Sequence, residues 1–246
     1  MADSDRAPPL SLLDGAALFL DFDGTLVELA ETPDSIRVPG ALRPLLERLA
    51  RRLSGRLAIV SGRAIADLDL YVGAAGISVA GSHGLELRSA DGRMSAPQAV
   101  AGLDEARAEI AAFAVGKEGL LVEEKPASVA LHYRRAPERE GEVMGFMASL
   151  AERSGLAVQS GKMVAELRPH GRTKGDAVRA LMAEPAFAGA RPVVMGDDVT
   201  DEDAFEAAAD LGGAGVLVGP PRPTAAQWRL DDVESVSRWL REAALQ

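Results

Sequence analysis

The chain alternates short uncharged runs with segments whose apolar residues recur every three or four positions. Leu18-Phe19-Leu20, Leu57-Ala58-Ile59-Val60, Ile77-Ser78-Val79-Ala80, Pro192-Val193-Val194-Met195 and Val216-Leu217-Val218 carry no charge, the pattern of strands buried on both faces. Between the first two, Leu42, Leu45, Leu46 and Leu49 fall at helical spacing within 41–53; further helices are predicted from beyond Arg63 through Leu70 and over about 201–209. Strands and helices in this alternation predict an α/β fold, a doubly wound parallel sheet covered on both faces. Residues 1–15 read as a loose, proline-containing lead-in.

Between Gln98 and Arg168 the period changes. Leu103, Ile110 and Phe113 mark one helix and Val143, Met144, Met147 and Leu150 another, each followed by two strand-like segments: 120–125 with 128–134, and 156–160 with 163–168. Lys125-Pro126-Ala127 and Ser160-Gly161-Lys162 read as hairpin connections. The expectation is a small α+β domain over 98–169, inserted into a discontinuous core of 1–97 and 170–246, with linkers at Ser95-Ala96-Pro97 and Pro169-His170-Gly171. Its strands alternate cleanly: His132, Arg134, Glu123, Lys125 and Glu166 fall on one face, and Val129, Leu131, Tyr133 and Leu167 on the other. A ligand-binding face and a merely solvated face of an antiparallel sheet both produce that alternation.

Composition narrows the chemistry. With 246 residues and 47% apolar content, the chain can bury one large core or two modest ones. A net charge of −10 on scattered acids argues against a broad nucleic-acid or anionic-membrane surface; an anionic substrate would need a local cationic pocket. Cysteine is absent and the 3 histidines, His83, His132 and His170, do not fall at zinc-ligand spacings, so oxygen-ligated metals remain. The start of the chain, with Asp3 and Asp5, has neither the basic region nor the long apolar segment of a signal peptide or membrane span, so a cytoplasmic protein is expected.

Polar clusters follow three of the strands. Asp21 with Asp23, Ser61 with Arg63, and Asp197 with Asp198 stand at carboxyl ends, where open α/β sheets bind ligands. Taken singly, each has a structural counterpart: an acidic turn closed by Gly24, a Ser-Gly turn, and an N-cap followed by acids that a helix dipole favours. Together they predict convergence on one edge. Lys174 opens a helix, where a cation opposes the dipole unless an anion is held there; a solvated surface lysine is the alternative. Two acids, a further acidic cluster for a cation, a hydroxyl and a lysine suit phosphoryl transfer through an aspartyl-phosphate.

With those residues in that order, the sequence resembles the haloacid dehalogenase superfamily of phosphatases. Asp21-Phe22-Asp23-Gly24-Thr25 matches its first motif, Ser61 the second, Lys174 the third, and Gly196-Asp197-Asp198-x-x-Asp201 the fourth. The resemblance implies Asp21 as nucleophile, Asp23 as general acid and then base, and Ser61 and Lys174 at the phosphoryl group. It also implies Mg2+ held by Asp21, the backbone carbonyl of Asp23 and Asp197, with Asp198 and Asp201 as further candidate ligands. The insert lies where a C2-type cap lies in that superfamily. A narrower likeness, to the trehalose-6-phosphate phosphatases, runs through 122–134, 161–169, Ser61-Gly62-Arg63, Gly81-Ser82-His83-Gly84 and 196–205.

That likeness implies hydrolysis of trehalose 6-phosphate to trehalose and phosphate, the last step of trehalose biosynthesis. Glu123, Lys125 and Glu166 are then expected to touch the sugar, with Arg63, His83, His132 and Arg134 as further substrate-binding residues. Related capped phosphatases acting on a sucrose phosphate or a glycosyl phosphoglycerate are the alternative enzymes. An inactive sugar-phosphate sensor is the alternative of another class, and the retention of Asp21, Asp23, Lys174 and Asp197 speaks against it. The expected assembly is a monomer, open to association with a trehalose-phosphate synthase.

Overall fold

A computed structural model describes the chain apart from residues 1–6, 31, 33, 34, 74, 75 and 96–99. Asp3 and Asp5 of the lead-in, and Ala96 and Pro97 of the first predicted linker, lie outside the described residues. The chain divides into two compact units, Met1–Ser95 with Thr173–Gln246, and Ala96–Arg172; the sequence places the joins at 97/98 and 169/170.

The first unit opens with β1 (Ala16–Leu20), α1 (Leu42–Arg52), β2 (Leu57–Val60), α2 (Ile65–Val72), β3 (Ser78–Gly81), β4 (Glu86–Arg88) and β5 (Met94–Ser95). The second contains α3 (Leu103–Ala114), β6 (Leu121–Lys125), β7 (Ser128–His132), α4 (Glu140–Ser154), β8 (Ala157–Gly161) and β9 (Val164–Arg168). The chain then returns to the first unit as α5 (Lys174–Met182), β10 (Arg191–Gly196), α6 (Glu202–Asp210), β11 (Ala214–Val218), β12 (Trp228–Leu230) and α7 (Val233–Ala243).

In the first unit the strand order is β12-β11-β10-β1-β2-β3-β4-β5. The six strands from β12 to β3 pair in parallel, and β4 and β5 add an antiparallel edge that the sequence did not announce. Period 2 sends successive side chains to opposite faces, and each face has its own core. Leu18, Leu20, Leu57 and Ile59 pack with α1, α2 and α7, whereas Phe19, Ala58 and Val60 pack with α5 and α6. Leu42, Leu45, Leu46 and Leu49 are the buried stripe of α1, and Val236, Trp239, Leu240 and Ala243 that of α7, another element not predicted. From β1 the chain winds outward through β2 and β3; from β10, on the other side of β1, it winds the opposite way. The reversal between β1 and β10 is a topological switch point, where such sheets form ligand crevices.

The second unit is a four-stranded antiparallel sheet, order β6-β7-β9-β8, backed by α3 and α4. Val129, Leu131, Ala165 and Leu167 pack with Leu103, Ile110, Val143 and Met147, which leaves the alternate positions on the other face. Strand β7 ends at His132, two residues short of the sequence expectation. Tyr133 nevertheless keeps the alternation, buried in the same cluster with its N–H donating to the Met163 carbonyl at 3.0 Å.

Candidate active site

Asp21 and Asp197 leave β1 and β10 on either side of the switch point. The strands are in register, Leu20 opposite Met195, and the Asp21 N–H extends the ladder by donating to the Met195 carbonyl at 2.9 Å. Gly24, with φ +81°, turns the chain back beneath Asp197, and a Cβ there would overlap the Asp197 carboxylate. Lys174 is the first residue of α5, whose start is fixed by a capping box between Thr173 and Asp176. Its Nζ lies 2.7 Å from Oδ1 of Asp21 and 2.7 Å from Oδ1 of Asp201, and all three residues are buried.

Asp21, Asp197 and Asp201 each bring a carboxylate oxygen to within 4.8 Å of the others. Burial, joined by Asp201 and Asp197, pushes the Asp21 carboxyl well above the ordinary carboxylate range despite the pull of Lys174. Burial would also lower the Lys174 ammonium, but the Asp201 and Asp21 carboxylates outweigh it and hold that group above its ordinary range. One buried ammonium does not neutralise three converging acids. An all-oxygen donor set with surplus negative charge fits a hard divalent cation.

The other predicted core residues are placed differently. Both oxygens of Asp23 accept from Arg63, at 2.6 and 2.8 Å, and the guanidinium stands 5.9 Å from the Phe22 ring centre and 5.4 Å from that of Tyr71. The Asp23 side chain is therefore a partner of Arg63 and no member of the three-acid group. Asp198 turns to the backbone: its Oδ1 accepts from the Val199 N–H at 2.8 Å, as a cap of the short 3-10 turn Val199–Asp201. Ser61 is buried just past β2, its Oγ accepting from the Arg63 N–H at 3.1 Å. His83 has φ +55° and holds its ring against Gly62, where an added Cβ would meet Nε2 at 2.7 Å. Its N–H donates to the Ser61 carbonyl at 2.9 Å.

On the polar face of the second unit, Lys125 and Glu166 pair at 2.8 Å, and His132 Nε2 lies 2.7 Å from a carboxylate oxygen of Glu123. Lys125 is also 3.9 Å from Glu123. Register places Ala130 between Glu123 and Glu166, a small side chain at the centre of the charged groups. Burial opposes ionisation of Glu123, but the hydrogen bond from His132 and the charge of Lys125 win and hold its carboxyl below the ordinary range. Arg134 reaches the hairpin turn, donating to the Lys162 carbonyl at 3.0 Å.

The sequence profile of the trehalose-phosphatase family matches residues 19–234. The chain belongs to the trehalose-phosphatase family. A "Probable trehalose-phosphate phosphatase" of Sinorhizobium fredii is 45% identical over 213 residues, covering 86% of this chain and 80% of the relative. The trehalose-6-phosphate phosphatase of Escherichia coli is 38% identical over 228 residues, covering 91% and 85%. Among solved structures, the C-terminal domain of the C. albicans trehalose-6-phosphate phosphatase superposes with a TM-score of 0.85 over 99% of this chain and 98% of that one, at 23% identity, a likeness of fold. A trehalose-6-phosphate phosphatase related protein has a TM-score of 0.79 at 25% identity, covering 93% and 96%. The architecture is thus a haloacid dehalogenase-like core with an inserted cap, and the protein is a phosphatase of that family.

Two residues that support the family's motifs escaped the sequence reading. Glu86, buried on β4, accepts from Ser82 Oγ at 2.5 Å and from the Ile65 N–H at 3.2 Å, tying the turn after β3 to the start of α2. Arg222 donates to the Asp198 carbonyl at 2.8 Å. Glu86 carried a faint signal, an acid close behind a Gly-Ser-His-Gly turn; Arg222 lay among prolines with none.

Proposed function

We propose that the protein hydrolyses trehalose 6-phosphate to trehalose and inorganic phosphate through an aspartyl-phosphate on Asp21, with Mg2+ as cofactor. The observation that carries this proposal is the buried Lys174 shared between Asp21 and Asp201 while Asp197 converges on the same point. The names of the relatives from S. fredii and E. coli support the choice of substrate.

An oxygen of Asp21 attacks phosphorus and the bond to the sugar oxygen breaks. Asp23 gives that leaving oxygen a proton, then takes one from the water that attacks the aspartyl-phosphate, so that Asp21 is regenerated and phosphate leaves. Lys174 holds the Asp21 carboxylate in place and offsets charge on the phosphoryl group, and Ser61 supplies a hydroxyl to it. Arg63 holds Asp23 as a carboxylate with a two-armed contact, and one oxygen must leave that contact to carry the proton. Asp21, Asp197 and Asp201 would hold the cation, which when bound neutralises negative charge on the phosphoryl oxygens. Glu123, Lys125 and Glu166 are assigned to sugar hydroxyls. The test is phosphate release from trehalose 6-phosphate, sucrose 6-phosphate and a glycosyl phosphoglycerate, with and without Mg2+. Strong preference for the first, dependent on the cation, is expected; preference for either of the others overturns the substrate assignment.

A further inference from the structure

The acidic turn after β10 is clamped at one residue. The N–H of Asp198 donates to Oδ2 of Asp201 at 3.0 Å, and its carbonyl accepts from Nη2 of Arg222 at 2.8 Å. The two peptide planes flanking Asp198 are each fixed by one of these bonds, and the first plane also bears Asp197. Arg222 comes from the segment between β11 and β12, and its other arm is ion-paired with Glu202 at the head of α6. Glu202 in turn accepts from the Ala225 N–H at 2.8 Å and from Thr224 Oγ1 at 3.1 Å. Both side chains of the pair are 24% exposed, so most of the guanidinium's freedom is already lost before any ligand arrives, which suits arginine's planar fork.

We infer that Arg222 is a positioning residue for the cation site, acting through the Asp198 carbonyl to hold Asp197 and Asp201 at the separation that a divalent ion needs. The inference rests on the reading that Asp21, Asp197 and Asp201 are the ligands. Asp197 stands against Gly24 with no room for a methyl group, so a displaced turn would carry its carboxylate away from Asp21. Like charges at this spacing repel; in the metal-free protein Lys174, 2.7 Å from Asp21 and from Asp201, offsets part of that repulsion and the bonds that fix the turn resist the rest. Partners behind a metal ligand commonly govern affinity in this way.

The experiment titrates Mn2+, which shares magnesium's preference for oxygen ligands, into the metal-free full chain, followed by electron paramagnetic resonance of the free ion. Arg222→Ala is expected to weaken Mn2+ binding about tenfold or more, while its metal-free thermal midpoint stays within about 3 °C of the parent. Affinity within about threefold of the parent overturns the inference, as does weaker binding accompanied by a larger fall in the metal-free midpoint, which would mark a folding role. Should Arg222→Ala fail to fold, Arg222→Gln is judged by the same limits. A parent that binds no Mn2+ overturns the ligand reading itself; a parent that binds while the variant matches it overturns the role of Arg222 alone.

Discussion

Lys174 Nζ lies 2.7 Å from Oδ1 of Asp21, across 153 positions of sequence. The same ammonium serves Asp201 at 2.7 Å, so one positive charge is divided between two buried acids with Asp197 close by. Burial and those acidic neighbours therefore oppose the charged form of Asp21 more than the shared ammonium favours it.

Replacing Asp21 should separate chemistry from stability. Because burial and its acidic neighbours raise the folded pKa of Asp21 above the unfolded value of 3.8, ionising it opposes folding. The associated stability is complete below that value and is lost as pH rises through the folded pKa. Asp21→Asn should abolish phosphate release and, in the metal-free protein at pH 7, raise the thermal midpoint by about 2 to 4 °C for each kcal/mol relieved. At pH 3, where the parent carboxyl is protonated, the gain should vanish. Near-normal turnover by this variant would refute the covalent route.

Lys174 fits its place by being compact. Arginine brings a larger planar fork into a site that is only 3% exposed, where extra volume costs about 1 to 3 kcal/mol. Lys174→Arg should therefore remain at least about tenfold impaired in turnover. Parent-like rates would make the ammonium dispensable to the reaction.

Chelation should stop phosphate release, and magnesium should restore it, because the three converging oxygens favour a hard cation over zinc. Magnesium should also raise the thermal midpoint of the parent but not that of Asp21→Asn, since binding to the folded state alone is stabilising. Full activity after chelation and dialysis would remove the cation from the mechanism.

The charged face of the cap should govern sugar recognition and leave the chemistry alone. Glu123→Ala, Lys125→Ala or Glu166→Ala each removes a charged hydrogen-bonding group, a loss of about 1.5 to 3 kcal/mol, or roughly ten- to hundredfold in kcat/KM on trehalose 6-phosphate. Hydrolysis of a small aryl phosphate should be unchanged. Equal losses on both substrates would assign these residues to folding or chemistry instead.

Glu123 also makes a pH-dependent contribution within the cap. Its folded pKa is lowered: burial opposes ionisation, yet the His132 hydrogen bond and the Lys125 charge prevail. The stability it confers is present above the unfolded value near 4.5 and is lost as pH falls through the folded one. Glu123→Gln should cost on the order of 1.5 kcal/mol at pH 7 and progressively less as pH falls through the folded pKa, followed by denaturant unfolding across that range. A cost independent of pH would point to packing alone.

Much of the fold could be read directly from local pattern. The uncharged runs at β1, β2, β3, β10 and β11, the leucine stripe of α1 and the alternating strands of the cap carry their periods within a few residues. Helix α7 was legible too, with Val236, Trp239, Leu240 and Ala243 at helical spacing behind the capping Asp232, although it was not picked out. The strands β4, β5 and β12, at the two margins of the sheet, span three, two and three residues, too short for any period to register; only pairing with a longer neighbour makes them strands.

The sequence by itself determined which residues would stand at the carboxyl ends of the strands, because the length of a buried run fixes where its polar sequel begins. That sufficed to bring Asp21, Ser61 and Asp197 to one edge, and to put Glu123, Lys125 and Glu166 on one face of the cap sheet. Tertiary structure alone decided which partner each would take. Asp23 meets Arg63 across 40 positions, Lys174 meets Asp201 across 27, and Arg222 reaches Asp198 across 24, while Asp198 turns from the acidic group to its own backbone. Such pairings depend on rotamers and on distances of a few ångströms between elements remote in the chain, and no local period encodes either.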